Sequence, residues 1–196
     1  FGIAAAGGSQ GWAAACRIVP DADMDQLARF ERFAFELKPD RSAATWTEAF
    51  LGARRQALLA ASDGAEIRTT VLGEARRMEG PAIAWGRSPA AVWSECDGRR
   101  WRLMLWDGAR TRRVVESRSV LRRPAVAACG DDILIACERD RRGQAHVSVW
   151  TPDGVCLVEE PGRAPALAGS AAKSAWLLHE IPGPNTIRLA FRAFHG

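Results

Sequence analysis

Three stretches with one pattern decide the fold of this chain: PAIA at residues 81–84, PAVA at 124–127 and PALA at 165–168. They recur at spacings of 43 and 41 residues. Each is followed by a turn and then by a second apolar stretch, AAVWSE, ILIACE or SAWLLHE. Self-similarity at a period of about forty residues indicates a repeat architecture, in which one structural unit is stacked several times.

The remainder of each repeat resembles further short strands. A polar turn leads into a third stretch of alternating character, WRLMLW, HVSVW or IRLAF, and the two middle repeats add a fourth, TRRVVES and VCLVEE. Short apolar stretches separated by Gly, Pro and Asp at intervals of about ten residues are typical of β-strands joined by turns. We therefore predict an all-β chain.

Weaker copies of the same plan precede residue 81. Together the copies predict one domain over residues 1–196 with about five modules, near residues 1–41, 42–80, 81–123, 124–164 and 165–196. The least regular part lies within residues 24–61, where MDQLARFERFAFEL and SAATWTEAFLGARRQALLAA are rich in helix formers at helical spacing. A helical insertion within residues 24–61 is therefore the alternative for that part of the chain.

Four-stranded modules of about forty residues resemble the blades of a β-propeller. The resemblance implies small residues on the innermost strands, where blades crowd together, and it assigns Trp106, Trp150 and Phe191 to the wider gaps between blades. The chain has neither the WD dipeptide of WD repeats nor the Asp box of sialidases, so the subfamily is not identified. The last module lacks a fourth strand, so a strand from elsewhere closes the ring or the chain is part of a larger propeller.

The composition is that of an ordinary globular protein, with 47% hydrophobic and 26% charged residues among 196. No stretch approaches the roughly 20 apolar residues that span a bilayer, and no signal peptide is visible. We therefore expect no membrane partner. The chain begins with Phe1 rather than Met, so we expect it to have been processed, trimmed or cut from something longer.

The cysteines indicate in which compartment the chain functions, and the charges indicate which partners it could bind. The five cysteines form no C-x-x-C pair, which favours reduced, buried thiols and therefore a reducing compartment such as the cytoplasm. The net charge is only +4, but the segment from Arg99 to Arg142 holds 12 arginines against six acidic residues. That segment could attract an anionic partner or simply form a solvated surface. We expect no nucleic-acid partner.

Ser9 lies in the sequence GGSQG, which matches the G-x-S-x-G pattern of a serine nucleophile. Such a nucleophile sits on a sharp turn between a strand and a helix, in a chain that alternates strands and helices. Alignment of the repeats instead places Ser9 at a turn position that Pro89, Asp132 and Lys173 occupy in the other copies. We therefore predict a strand through Trp12 rather than a helix after Ser9, which remains only a candidate nucleophile.

The same alignment places Glu95, Glu138 and His179 at one position near the end of the second strand, with Glu180 one residue beyond. In propellers the loops after the second strands usually line the face that binds ligands. Carboxylates there could act on a glycosidic bond or hold a hard cation, or they could simply pair with nearby arginines. The innermost strands lack the carboxylates typical of five-bladed glycosidases, which disfavours a glycosidase.

Three further residues near these loops are candidates for ligand binding. Trp101 stands between two arginines and offers an aromatic face for stacking, and Arg100 and Arg139 could bind anionic groups. The histidines and cysteines have no metal-ligand spacing, and no phosphate-binding loop occurs. We therefore predict neither a metal nor a cofactor.

The sequence as a whole predicts a non-catalytic, lectin-like binding propeller that uses the loops of one face. Its ligand would be a carbohydrate, an anionic small molecule or a protein. The alternatives are a carboxylate-dependent glycoside hydrolase or lyase and an accessory propeller domain of a larger enzyme. The binding function rests on analogy, because a fold does not by itself specify a function.

Overall fold

The computed structural model describes residues 3–8, 11–18, 54–62, 66–183 and 186–195. Their strands form four antiparallel sheets in chain order. Sheet I consists of β1 (Ile3–Gly8), β2 (Gly11–Ile18), β3 (Arg55–Ser62) and β4 (Ile67–Ala75). Sheet II consists of β5 (Arg77–Trp85), β6 (Pro89–Cys96), β7 (Trp101–Trp106) and β8 (Thr111–Ser117). Sheet III consists of β9 (Leu121–Cys129), β10 (Asp132–Arg141), β11 (Gln144–Trp150) and β12 (Cys156–Pro161), and sheet IV of β13 (Arg163–Gly169), β14 (Ser174–Pro182) and β15 (Ile187–His195).

The sheets have the arrangement of propeller blades. Within each sheet the strands are hydrogen-bonded in sequence order, so the first strand lies at one edge and the last at the other. The first strands of neighbouring sheets contact each other, and the sheets stack face to face in chain order. Within the described ranges there is no helix, and thus none that could cross a membrane. The prediction of an all-β, propeller-like fold is confirmed.

Small residues on the first strands allow this close stacking. A Cβ atom added to Gly169 in β13 would lie 1.9 Å from the carbonyl oxygen of Ala128 in β9. One added to Gly80 in β5 would lie 2.7 Å from Cγ of Pro124 in β9, and Gly80 also has a φ of +86°. Larger side chains at these positions would push neighbouring sheets apart, which explains the small residues that the repeats carry there.

The hydrophobic core lies in three seams between neighbouring sheets. The I–II seam is filled by Ala13, Ala15, Leu59, Ala91 and Trp93 with their neighbours. The II–III seam is filled by Val92, Leu103, Leu105, Ile135 and Trp150. The III–IV seam is filled by Ala136, Val147, Val149, Ala175 and Leu177. Full burial of one large apolar side chain contributes roughly 1.5–3 kcal/mol, so these seams hold the sheets together.

The N-terminal part of the predicted organisation needs correction. Segments from the predicted modules 1–41 and 42–80 belong to one sheet, because β3 pairs with β2 from Trp12↔Ser62 to Ile18↔Gln56. The described residues therefore form four sheets, whereas about five modules were predicted. The alternative of a helix within residues 24–61 is wrong for residues 55–61, which belong to β3, and residues 24–53 lie outside the described residues.

The large aromatic residues follow the prediction only in part. Trp150 is buried in the II–III seam, and Trp106 packs against the I–II seam. Phe191 is 65% exposed instead, because no described strand covers that face of sheet IV. The predicted gap-filling role therefore holds where a neighbouring sheet is present.

All five cysteines are unpaired, as the sequence predicts. Cys96, Cys129 and Cys137 are buried, and Cys156 is exposed. Burial raises the pKa of the Cys137 thiol well above its ordinary value and, to a smaller extent, that of Cys129. These two thiols are therefore protonated near neutral pH. Because the thiolate is the reactive form of cysteine, they serve as packing groups.

The turns alternate between two ends of each sheet because consecutive strands are antiparallel. We call the hairpin end the one with turns between first and second strands and between third and fourth strands, such as residues 86–88 and 107–110. The crossover end carries the turns between second and third strands and the connections between sheets, such as residues 97–100 and 118–120. The strand ends near Glu95, Glu138 and His179 all lie at the crossover end.

Candidate binding cleft

The candidate nucleophile Ser9 lies outside the described residues. The segment that follows it, Gly11–Ile18, is strand β2, paired with both β1 and β3. The prediction of a strand through Trp12 is confirmed. A nucleophile elbow needs a helix at this point, so the local structure gives the serine hypothesis no support.

Glu95 is buried in the I–II seam. Its Oε2 accepts a hydrogen bond from Trp93 Nε1 at 2.8 Å, and its Oε1 lies 3.5 Å from Arg102 Nη2. A Cβ atom on Gly73 of sheet I would come within 3.0 Å of the same carboxylate, which shows how closely β4 covers it. The carboxylate therefore makes its polar contacts within sheet II while sheet I packs against it, and it does not face either of the clefts described below.

Glu138 is also buried, but it faces the opposite way from Glu95, into the III–IV seam. Its Oε2 accepts a hydrogen bond from the backbone N–H of Ala164 in β13 at 3.0 Å. Arg123 Nη1 lies 3.5 Å from the same oxygen. Glu180, on β14, is paired with Arg163 at 2.8 Å. Each of the three predicted glutamates thus has an arginine within ion-pair distance.

His179 is 1% exposed and lies in the III–IV seam. Its Nε2 is 2.9 Å from Glu160 Oε1 on β12, and Arg192 Nη2 is 2.8 Å from Oε2 of that carboxylate. The other ring nitrogen, Nδ1, has no hydrogen-bond partner among the described residues. Gly162 accommodates it, since a Cβ atom there would lie 2.3 Å from Nδ1. His179 therefore fastens sheet III to sheet IV.

The other predicted binding residues are also occupied by structural contacts. Trp101 is only 8% exposed and packs in the II–III seam, so the expectation of an exposed aromatic platform is wrong. Arg100 is paired with Glu116, and Arg139 Nε lies 3.4 Å from Glu159 Oε1. The structure distributes the predicted residues over separate seams and strands. That they bind a ligand together stays a prediction without geometric support.

An open cleft lies instead at the hairpin end, between sheets II and III. Its volume is about 860 Å³. Small residues form its floor, among them Ala90, Ala128 and Gly130. Residues of four turns form its rim, which includes the charged side chains of Arg87, Asp107, Arg112, Asp131, Asp132 and Asp153. The cleft therefore combines a small-residue floor with a charged rim.

Ion pairs across the cleft connect the two sheets. Arg87 of sheet II pairs with Asp131 of sheet III. Arg112 Nη1 lies 3.3 Å from Asp153 Oδ1 across the seam, and its Nη2 lies 3.5 Å from Asp107 Oδ2. These contacts link the turns of sheet II to those of sheet III across the cleft.

The rim carries more carboxylates than guanidinium groups. Four aspartates face two arginines, and Arg110 lies 4.0 Å from Asp107 beside the cleft, which leaves a formal excess of one negative charge. Asp132 is exposed and makes no ion pair with any described residue. Asp153 is the more exposed partner of its pair, with 82% of its side chain accessible. The cleft therefore presents a negative surface to solvent.

Asp107 is held in its ionised form by its own turn. Its Oδ1 accepts the backbone N–H groups of Arg110 at 3.0 Å and Ala109 at 3.2 Å. Burial opposes ionisation, but these two hydrogen bonds and the charges of Arg112 and Arg110 together lower the pKa of Asp107 below its ordinary value. The carboxylate is therefore a permanent negative charge near neutral pH.

A second, smaller cleft of about 440 Å³ lies between sheets III and IV at the same end. Asp132 lines both clefts, and Lys173, Arg192 and Phe194 line only the smaller one. Among the described residues no group of histidine, cysteine and carboxylate side chains could hold a metal ion. Neither cleft is therefore a candidate metal centre.

The sequence contained a signal for the hairpin-end cleft. Three of the turns that form its rim have the sequences WDGAR, CGDD and WTPDG, of which WDGAR and WTPDG follow the third strand in successive repeats. They predict turns correctly, but the chain around them does not show that their aspartates converge. Only the stacking of sheets II and III brings these side chains to one cleft.

Neither a protein-family model nor a curated protein matches the sequence. Among solved structures, the chain is similar to TolB from Acinetobacter baumannii, with a TM-score of 0.48 and 9% sequence identity. The similarity covers 94% of this chain and 52% of that one, so the chain spans about half the length of the TolB structure. The propeller-like fold is therefore established by the four sheets themselves.

Proposed function

We propose that this chain is a protein-binding module that takes a basic segment of its partner in the cleft at the hairpin end. The observation that carries the proposal is the convergence of four aspartates from sheets II and III on one open cleft of about 860 Å³. Lysine and arginine side chains of a partner would meet carboxylates there, and electrostatic attraction would speed their approach.

The lining of the cleft favours a peptide over the other ligands that the sequence left open. No aromatic residue lines it, so it offers no stacking platform for a sugar ring. Its formal charge excess is negative, which disfavours an anionic small molecule. Its openness to solvent suits an extended backbone, whose polar groups keep part of their hydration.

The geometry also disfavours the enzymatic alternative. Two carboxylates of a glycosidase lie roughly 5–10 Å apart in one pocket. Glu95 and Glu138 instead face different seams, and each has an arginine within 3.5 Å. Glu180 is paired with Arg163 in the same manner. A binding role at the opposite end of the sheets accounts better for where the accessible charges lie.

Binding by such a cleft is expected to be weak and sensitive to salt. An exposed ion pair contributes roughly 0.2–1 kcal/mol, so a few pairs with Asp132 and Asp153 give a modest affinity. The Debye length falls from about 10 Å at 0.1 M salt to about 3 Å at 1 M. The affinity should therefore decrease steeply as salt is added.

The test is a titration of the purified chain into a fluorescent peptide of alternating Lys and Ala, followed by anisotropy. The matched peptide of alternating Glu and Ala is the control ligand. We expect binding of the basic peptide only, and a loss of affinity of about two- to fivefold in Asp132→Asn, as one exposed ion pair predicts. Asp153→Asn should weaken binding at least as much, because it also frees the charge of Arg112.

The control variant is Asp140→Asn, which neutralises an exposed aspartate at the crossover end. Its side chain accepts the N–H of Gly143, a hydrogen bond that asparagine can keep. The variant should bind the basic peptide as the unmodified chain does. Equal affinity for both peptides, or equal losses in all three variants, would contradict the proposed site.

A further inference from the structure

The two sheets at the ends of the row each have one apolar face that no described residue covers. On sheet IV this outward face includes Leu178, Leu189 and Phe191, whose exposed fractions are 42%, 70% and 65%. Leu178 lies directly opposite Phe191 in the pairing of β14 with β15, so their side chains share one side of the sheet. Ala166, which pairs with Leu178, extends this face onto the first strand.

The outward face of sheet I has the same character. Ile3 is 79% exposed, Trp12 43% and Val71 55%. The pairing of β1 with β2 places Ala5 opposite Ala14 on this side, between Ile3 and Trp12. The opposite side of the sheet, with Ala13 and Ala15 as examples, is buried in the I–II seam. Contiguous exposed apolar patches mark interaction surfaces in proteins more often than scattered apolar residues do.

The internal seams show what such faces pack against. Every seam joins the face of one sheet that looks forward along the chain to the face of the next sheet that looks backward. In the III–IV seam, Ala136 and Val147 look forward and meet Ala175 and Leu177, which look backward. The outward face of sheet IV looks forward, and the outward face of sheet I looks backward. These two faces therefore have the complementary orientations that each internal seam combines.

Their side chains also match the pattern of the internal seams. Small residues occupy the first strands on both outward faces, Ala166 on sheet IV and Ala5 on sheet I. Larger residues follow on later strands, Phe191 on sheet IV and Val71 on sheet I. This order reproduces the small inner and larger outer residues that pack between sheets III and IV.

The described residues of one chain leave both faces exposed at the same time and do not bring them together. We propose that the outward face of sheet IV docks on the outward face of sheet I of a second copy of this chain. This contact is heterologous, and two such contacts between two copies close a ring. The ring would contain the eight described sheets of two copies, which lies within the four to eight blades of propellers.

The proposal is independent of the acidic cleft, which lies between sheets II and III. Its first test is sedimentation velocity of the purified full chain over a range of concentrations. A chain of 21.3 kDa should sediment at twice that mass. A single-copy mass at the highest attainable concentration would overturn the proposal.

Two variants each disable one face. Phe191→Glu places a charge on the outward face of sheet IV, and Val71→Glu places one on that of sheet I. Both positions are exposed in the single chain, so the β-sheet circular dichroism of each variant should match that of the unmodified chain. Each variant alone should sediment as one copy, because both contacts of the ring use the altered face.

A mixture of the two variants distinguishes this contact from other modes of association. The intact sheet IV of Val71→Glu can still dock on the intact sheet I of Phe191→Glu. We expect the mixture to form a two-copy particle, weaker than the unmodified ring because one contact remains. Failure of the mixture to associate would overturn the heterologous contact.

The control is Leu157→Glu, at an exposed apolar residue of sheet III outside both faces. This variant should associate as the unmodified chain does. Loss of association in the control as well would attribute the assembly to apolar surface in general and overturn the proposal. Open-ended polymers that both face variants abolish would overturn the two-copy ring.

Discussion

The two ends of the seams use the same charged side chains in different ways. At the crossover end, Glu95 and Glu138 are buried, and each is held by a hydrogen bond and an arginine. At the hairpin end, Asp132 and Asp153 are exposed around an open cleft. The difference shows that burial decides whether a carboxylate in this fold is enclosed with its partners or remains accessible to a ligand.

The physical reason is the cost of removing a charge from water. A buried carboxylate without partners is strongly disfavoured, so the partners of Glu95 and Glu138 contribute to the stability of the fold. An exposed ion pair contributes roughly 0.2–1 kcal/mol, and solvent or a ligand replaces it easily. The cleft at the hairpin end can therefore exchange its contacts without loss of the fold.

The largest expected effect concerns the contact between the first strands of sheets III and IV, close to the hairpin end. Gly169→Ala should destabilise the chain by about 3 kcal/mol, the upper part of the range for inserting an atom into a packed site. The added Cβ atom would lie 1.9 Å from the carbonyl oxygen of Ala128, which is backbone and cannot rotate away. For a chain of this length the loss corresponds to a decrease in Tm of about 6–12 °C, measurable by calorimetry.

Gly7→Ala is the matched control, because Gly7 also lies on a first strand. The nearest atom to an added Cβ atom there is the carbonyl oxygen of Gly11 at 3.5 Å, an ordinary contact. Its Tm should remain within about 2 °C of the unmodified chain, as for a substitution without a clash. Equal decreases in both variants would show that the approach of β13 to β9 is not what the seam requires.

The fold was more predictable from the sequence than the site. The period of about forty residues and the alternation in WRLMLW and HVSVW are local patterns, and they predicted the strands of sheets II and III. Sheet I was divided wrongly because β2 and β3 pair across a separation of more than thirty residues. No local pattern reports such a distant pairing.

The site was missed because it depends on the side to which each residue points. The alignment placed Glu95 and Glu138 at one repeat position, yet Glu95 faces sheet I and Glu138 faces sheet IV. A register difference of one residue turns a side chain to the other face of a sheet. Ala82 pairs with Val92, ten residues later, whereas the aligned Ala125 pairs with Ala136, eleven residues later, so the sequence alignment of the second strands was shifted by one residue.

A smaller effect separates the two ends directly. Glu95→Ala leaves the buried Nε1–H of Trp93 without its acceptor, which should cost about 2 kcal/mol. Tm should decrease, whereas binding of the basic peptide at the far end should be unchanged. Asp132→Asn should give the reverse result, with Tm unchanged and weaker binding, because its side chain makes no ion pair with the described residues.

Glu95→Gln is the control for this comparison. Its amide oxygen can still accept the indole N–H of Trp93, although the charge facing Arg102 is lost. It should therefore lose less stability than Glu95→Ala. A loss of peptide binding in either Glu95 variant without a change in Tm would contradict the division between a structural end and a binding end.

The smallest expected effect is the contribution of Asp107 to stability in acid. Its pKa in the folded chain is lowered from the ordinary 3.8. A group with a lowered folded pKa contributes stability above its unfolded pKa and loses that contribution as the pH falls through the folded pKa. The free energy of unfolding should therefore decrease below about pH 4 less steeply in Asp107→Asn than in the unmodified chain.

Asparagine can still accept the N–H groups of Ala109 and Arg110, so only the charge is removed. Urea titrations at several pH values measure this slope, and identical slopes for the two chains would show that the ionised form of Asp107 does not stabilise the hairpin end.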